Sequence, residues 1–541
     1  MVSGGAEARN NGGIRLRSAL LALLLSLLSG GCAMIGPDFQ RPQAPVAEHW
    51  ATSLDKADGG SVATPIRADE EQVSQWWKAF NDPLLDSLIE EAYRQNLDLQ
   101  MAGLRILEAR ARLGIATGNL YPQQQSLNAG FGAVGISENA ANSAAADLNY
   151  TDGSVGFDAA WELDFWGKFR RGVQATDANM NAAVAAYDSY LVTLTAEVAR
   201  TYILVRTLEE RISVAQANVA IQRRSLRISE ARFKGGLVTE LDVQQARNLL
   251  ANTQAVIPAF KASLRQAKNS LAVLLGKPPQ QIDRILGSGG DIPVPPVEVA
   301  VGMPAELLRR RPDVRQAELQ AKAQSALVGV AKADLYPHFT LLGSVGLRAS
   351  DSALSATGGS NIGDVFEGNS LEYFAGPAVS WDIFNYGRIK NQVRMQDARL
   401  QQLLINYQNT VLRAAQDVED ALAGLVNDRQ RLVYLRQAEK AAQRSVDLAL
   451  LQYREGLVDF QRVLDALRYL SSAQDKLSAI RGDESISMVR VYKALGGGWQ
   501  LRRGQPFVAS ETAAAMEERT DWGDLLKQQN RIEPSVETAR Q

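Results

Sequence analysis

The sequence predicts a mixed α+β chain built twice over, in which long water-exposed helices accompany strands with one apolar face. Three observations lead there. Residues 161–276 recur as residues 381–496 at a constant offset of 220. Each copy contains a run of about 67 residues almost free of Gly and Pro. Each copy also contains segments in which apolar and polar residues strictly alternate.

The offset of 220 pairs Trp161 with Trp381, Trp166-Gly167-Lys168 with Tyr386-Gly387-Arg388, Phe233 with Tyr453, and Leu275-Gly276 with Leu495-Gly496. It also pairs Gly236-Leu237-Val238 with Gly456-Leu457-Val458, and no gap is needed. An earlier stretch recurs at an offset of 215, with Leu120-Tyr121-Pro122 matching Leu335-Tyr336-Pro337. The copies therefore differ in length only after Tyr-Pro. Residues 168–234 hold a single Gly and no Pro, and residues 388–455 have Gly424 as their only breaker. Continuous helices of that size are roughly 100 Å long at 1.5 Å per residue. Charges such as Glu209-Glu210-Arg211 and Arg429-Gln430-Arg431 keep them out of a membrane.

From the start of the chain, Arg15 and Arg17 precede an apolar run at residues 20–28 and then Ser29-Gly30-Gly31-Cys32. A charged segment, a short apolar run and small residues form a secretory signal. Cys32 is the only cysteine, so no disulfide can form within the chain, and its place after the small residues makes it the expected lipid attachment point. Residues 33–70 carry Pro37, Pro42, Pro45 and Pro65 and read as an extended tether. Order is expected from Trp76-Trp77, with a helix opening at Asp82-Pro83. The net charge of −2 over 541 residues argues against nucleic acid as partner. No apolar run of membrane-spanning length follows the signal.

Strands are expected where Val155, Phe157, Ala159, Trp161, Leu163 and Phe165 alternate with Gly156, Asp158, Ala160, Glu162 and Asp164. Leu127, Ala129, Phe131 and Ala133 precede them, and the second copy supplies Phe339 to Leu347 and Tyr373 to Ile383 on alternate positions. An ordinary antiparallel sheet with one solvated face produces the same pattern. Strand lengths of about 9–11 residues suit a tilted transmembrane strand. Trp161, Trp166, Trp381 and Tyr386 stand where an interfacial aromatic girdle belongs. Four strands cannot close a barrel, whose smallest bacterial form has about eight, and lipid does not tolerate open edges. Several copies must combine, and three would supply about twelve strands.

Leu307-Leu308-Arg309-Arg310-Arg311-Pro312-Asp313-Val314-Arg315-Gln316-Ala317-Glu318, the two Leu-Tyr-Pro turns, Pro37-Asp38-Phe39-Gln40-Arg41-Pro42 and the paired Gly-Leu-Val turns carry a resemblance. Together they resemble the outer membrane factor (TolC-like) family, in its lipoprotein branch associated with resistance-nodulation-division efflux systems. The resemblance covers residues 32 to about 500. It implies a trimeric twelve-stranded transmembrane β-barrel, four strands per chain, continuous with a long periplasmic α-helical barrel. It also implies an outer-membrane location, with a periplasmic adaptor and an inner-membrane pump as partners. The expected organisation is a signal peptide at 1–31, a lipidated tether at 32–70, structural repeats at 71–286 and 287–500, and a tail at 501–541 for which the sequence offers no role.

Chemistry is not indicated. His49 and His338 are the only histidines, no cysteine remains for metal or nucleophilic work, and Gly496-Gly497-Gly498 follows a helix rather than a strand. No cofactor is expected beyond the covalent lipid, and no enzyme. Glycine is the residue expected where a helix ends left-handed, but apolar residues beside it at a tip suggest a docking surface. Gly235, Gly236, Leu237 and Val238, with Gly456, Leu457 and Val458, are the expected contacts to the adaptor. The resemblance further implies a periplasmic gate at Tyr453, Asp459 and Asp465, with Asp242 assisting; the carboxylates could instead simply solvate helix ends. Two other readings stay open, a protein-secretion channel and a coiled-coil lipoprotein holding envelope layers apart. Cys32→Ser is expected to abolish acylation while sparing folding, which metabolic labelling with palmitate checks; label retained on the variant would contradict it.

Overall fold

The computed structural model describes residues 34–43, 46–47, 50–51, 73–139, 141, 147–287, 289–296, 309–351 and 361–527. Cys32 and His49 lie outside them. The chain divides into two compact units. One is drawn from Met1–Arg41, Ala109–Met180 and Leu319–Leu404, the other from Pro42–Glu108, Asn181–Glu318 and Ile405–Gln541. Each unit takes segments from both sequence copies.

The first unit holds a four-stranded antiparallel sheet in the order β1 (Gln124–Gly135), β2 (Asn149–Glu162), β3 (His338–Ser350) and β4 (Leu371–Ser380). Register is what gives the sheet its character, since a slip of one residue would exchange its faces. Leu127 lies opposite Phe157, Phe157 opposite Val345, and Val345 opposite Tyr373. All four are exposed, so this apolar row crosses the whole sheet with none of the described residues covering it. On the other face Asn128 donates to Asp158 at 2.6 Å. The strands are shorter at one end than the alternation suggested. Leu163, Phe165, Trp381 and Ile383 fall after β2 and β4, where the chain turns toward its helices.

The described part of the tether is held in place rather than free. Ile35 donates its backbone N–H to Trp166 O at 3.0 Å. The buried Arg171 guanidinium reaches Asp38 at 2.9 Å and the carbonyls of Ile35 and Gly36.

The second unit is helical, and four of its helices continue into the first. Asp82 caps α1 (Pro83–Gln95) by accepting from Leu84 and Leu85 N–H groups at 3.0 and 3.2 Å, with Pro83 in the first turn as expected. Leu85, Leu88, Ile89 and Ala92 form its buried stripe. Asn96 then caps α2 (Leu97–Gly118) through Leu99 N–H at 2.9 Å. The duplication is reproduced to the residue. The helices α3 (Lys168–Lys234) and α6 (Arg388–Arg454) have 67 residues each, and α4 (Glu240–Leu274) and α7 (Phe460–Ala494) have 35 each. In the second copy, α5 (Pro312–Ala333) is the counterpart of α2 at the offset of 215. The helices divided between the two units are α2, α3, α5 and α6.

Trp76 and Trp77 anchor the core of this unit, and the Trp76 ring stacks on Tyr492 at 5.4 Å. Gly497 is required there, because a Cβ would lie 2.5 Å from Val73 O. Within the Arg-Arg-Arg-Pro-Asp motif, Arg311 donates to Ala494 O at 2.8 Å and pairs with Asp313 and Asp417 at 2.8 and 3.0 Å. It is a clamp on a helix end, which explains why the motif carries an arginine that cannot lose its charge.

Residues 501–527, for which the sequence offered no role, pack against this unit. Phe507 packs edge-on to Tyr187 at 5.2 Å. Val508, Met516 and Leu526, the second of these in α8 (Ser510–Arg519), cover Leu107. Arg502 forms a bidentate pair with Asp188, both buried. Burial pushes the Asp188 carboxyl upward more than Arg502 holds it down. A buried charge stripped of its partner destabilises a protein by about 3–5 kcal/mol, whereas an apolar pair of similar volume is often neutral. Arg502→Met is therefore expected to lower the thermal midpoint of the purified protein strongly, and Asp188→Leu with Arg502→Met to restore most of it. Equal losses in the single and double variants would contradict this.

Candidate functional site

Two hairpin tips concentrate the expected functional residues. In the first, α3 ends with Gly236 at φ +69°, Gly236 N–H donating to Phe233 O at 2.9 Å and Leu237 N–H to Arg232 O at 2.9 Å. In the second, Gly456 lies at φ +74°, with Gly456 N–H to Tyr453 O at 3.2 Å and Leu457 N–H to Gln452 O at 2.9 Å. Both are Schellman closures, in which the left-handed glycine satisfies carbonyls that the helix leaves unpaired. The glycines are thus accounted for by folding, Gly235 being the residue before one of them.

The apolar residues are not. Leu237 and Leu457 are 69% and 74% exposed, and a Schellman closure needs no leucine held in water. Val238 and Val458 are half-buried, and Val458 packs against the cluster formed by Tyr453, Phe460, Val463 and Leu464.

The four expected gate residues occupy three different environments. Asp242 accepts from Thr239 N–H at 3.2 Å, closing a capping box at the start of α4. Asp459 caps α7 through Arg462 N–H at 3.2 Å. Each such cap stabilises its helix by about 1 kcal/mol, which is reason enough for a carboxylate there. Asp465, half-buried on the first turns of α7, accepts from Gln461 at 3.0 Å and pairs with Arg468 at 3.3 Å.

Tyr453, the fourth expected gate residue, is packed within the chain. It is 2% exposed, its ring lies 5.2 Å from Phe460, and the Arg232 guanidinium covers its face at 4.5 Å. Arg232 also donates to the Tyr453 carbonyl. Almost none of the ring is left to solvent, with Arg232 over one face and the tilted Phe460 ring beside it. Burial also holds its hydroxyl pKa above the ordinary range. The pair ties the end of α3 to the end of α6, so one sequence copy is latched to the other. Arg232 was not among the expected residues. Its signal is visible only afterwards, as the residue preceding Phe233, the counterpart of Tyr453.

The expected girdle residues sit at the two strand-to-helix junctions. Trp161 donates its indole N–H to Leu120 O at 3.2 Å, and Trp381 to Leu335 O at 3.1 Å, the same bond in each copy. Trp166 donates to Pro337 O at 2.8 Å and lies 4.8 Å from the Tyr336 ring. Its counterpart Tyr386 is fully exposed. Nearby, His338 Nδ1 lies 2.7 Å from Glu162, and Lys168 lies 3.0 Å from Asp334.

Known proteins place these features in a family. The family model described as outer membrane efflux protein matches residues 88–277 and 303–497. The pyoverdine export outer membrane protein OpmQ of Pseudomonas aeruginosa is 33% identical over 443 residues, 81% of this chain and 90% of that protein. Nodulation protein T of Rhizobium leguminosarum bv. viciae is 30% identical over 503 residues, 93% of this chain and 97% of that protein. The solved outer-membrane channel OprN superposes with a TM-score of 0.76 at 31% identity, covering 86% of this chain and 99% of that one. Such solved neighbours are trimeric channels that combine strands with a helical barrel, and the chain has their mixed α+β fold. Matched over both copies and along nearly the full length of its relatives, the chain belongs to the outer membrane efflux protein family.

Proposed function

We propose that three copies of this chain form a passive outer-membrane duct of a tripartite efflux system, receiving substrates from an inner-membrane pump through a periplasmic adaptor. The observation that carries it is the apolar row Leu127, Phe157, Val345 and Tyr373, exposed across all four strands. An ordinary sheet turns its apolar face to its own core. This one turns it outward, which suits lipid. A structural tether gives no reason for such a face. In this reading residues 1–31 are removed, Cys32 carries the lipid, residues 32–70 follow as tether, and residues 71–286 and 287–500 are the two repeats ahead of the packed tail. No catalytic chemistry and no cofactor besides the lipid is assigned.

Closure at the hairpin tips is assigned to the Arg232–Tyr453 latch, with Asp465, Asp459 and Asp242 as carboxylates that favour cations near it. An adaptor that binds the parted hairpins better than the latched ones shifts the balance toward the open state. Leu237 and Leu457 are its contacts, because they are bare, whereas Val238 and Val458 are half-buried and Val458 already packs against the cluster around Tyr453.

Single-channel recording in a planar bilayer tests the reading. The protein as purified is expected to conduct weakly, and Arg232→Ala to raise the resting conductance several-fold, since the ring face and the Tyr453 carbonyl both lose their partner. Absence of conductance in both would contradict the duct. Separately, Leu237→Asp with Leu457→Asp is expected to reduce adaptor cross-linking and export several-fold while leaving the assembled particle intact. Unchanged cross-linking would place the contact elsewhere.

A further inference from the structure

The polar face of the sheet carries an apolar patch that the sheet itself does not use. Opposite residues of an antiparallel ladder share a face, so the even-numbered residues of all four strands line this one. Every charged residue within the strands stands on it, Asp152, Asp158, Glu162 and Glu372 against Arg348. Four carboxylates and one guanidinium leave an excess of three negative charges per chain. Among them stand Phe374 and Leu342, 57% and 38% exposed. Leu342 lies opposite Gly376, and the tip of the Phe374 ring is 3.6 Å from where a Cβ on Gly376 would stand, which sets the ring beside Leu342. Ala160, opposite Leu342 on the other side, extends the patch.

The fold does not call for a ring at this place. Carried back along the strands, the offset of 220 pairs Phe374 with Ser154, Glu372 with Asp152 and Gly376 with Gly156. The first copy thus builds the corresponding strand with a small hydroxyl where the second has phenylalanine. The neighbouring carboxylates differ as well. Asp152 is engaged by Arg348 at 3.1 Å, whereas Glu372 has no ion-pair partner among the described residues. An exposed ring beside an unpaired carboxylate is therefore a feature of the second copy alone.

We propose that Phe374, Leu342 and Glu372 form a contact site on the lumen wall for organic cations that carry a flat apolar group. The site rests on the barrel of the proposed function, in which the odd-numbered face meets lipid and the even-numbered face meets the lumen, and it adds a class of cargo to that reading. Residues two apart on a strand stand about 7 Å from one another on the same face, about the length of a benzyl group carrying an ammonium. The ring and Leu342 take the apolar group, and Glu372 faces the ammonium. A cation lying over the ring instead is attracted by its negative face. Asp158 stands in the same row as Phe374, two strands away, and the excess of carboxylates raises the local concentration of cations. Exposed contacts of this kind are weak, which suits a duct that must release what it receives.

Block of the single-channel current tests the site, with the full lipidated protein in a planar bilayer and two probes, benzyltrimethylammonium and tetramethylammonium. The benzyl cation is expected to halve the current at a concentration about fivefold lower than the methyl cation, the size of effect an exposed ring contact gives. Phe374→Ser, which copies the first repeat, is expected to bring the two concentrations together, and Phe374→Tyr to keep them apart. Glu372→Gln is expected to raise the half-blocking concentration of the benzyl cation about twofold, the loss of one exposed charge contact. Equal block by both probes in the unaltered protein, or a difference that survives Phe374→Ser, would overturn the site. The comparison of probes on the unaltered protein decides the matter even where a variant does not assemble. Conductance that neither cation blocks contradicts the site alone, and no conductance at all contradicts the duct and the site with it.

Discussion

Everything in this chain answers to one constraint: in lipid, a backbone N–H or C=O that lacks a partner has no water to turn to. A four-stranded sheet leaves two edges of such groups, and its apolar face is turned outward along all four strands. A helix or loop laid over the edges would cover them in water, but in hydrocarbon only closure removes them. The solved neighbours meet this as trimers, in which identical copies close a ring that no single copy can.

Away from the sheet, the same duplication has been put to different uses at equivalent places. Both tips end in the same glycine closure and both expose a leucine, as expected if each copy contributes equally to docking. Between them, however, Arg232 of the first copy grips Tyr453 of the second, and the reciprocal pair would be Gln452 with Phe233, which has no charge. One charged contact rather than two joins the tips, beside the apolar cluster in which Ala246 and Leu249 of the first hairpin meet Tyr453, Phe460 and Leu464 of the second. A single charge-assisted, ring-stacked pair is firm enough to define a resting state and small enough for a bound partner to replace. The heavier structural work falls elsewhere, to the Arg311 clamp, the Trp76 stack and the buried Asp188–Arg502 pair.

What was legible in the sequence is what depends on local or periodic patterns. The 67-residue helices begin and end within a residue of where Gly and Pro punctuation placed them, and the strands follow their alternation until the Trp-rich junctions bend the chain away. Glycine closures were legible for the same reason, since the left-handed turn needs a residue without Cβ. Long-range pairings were not. Nothing near Asp188 announces Arg502, 314 residues later, and the tail that brings it has too few apolar residues to declare a core role. For Tyr453 the motif indicated which residues matter at the tip but not which way they face or what packs on them. Burial by Arg232 depends on how two distant hairpins pack, a fact no periodicity encodes.

The constraint at the sheet edges can be examined directly in the bilayer. Hydrogen–deuterium exchange of the reconstituted protein, resolved to strands, should show the amides of β1 and β4 protected as strongly as those of β2 and β3, because each edge is bonded to another copy. Fast exchange confined to β1 and β4, with β2 and β3 protected, would mean the edges are open, and no shared barrel exists.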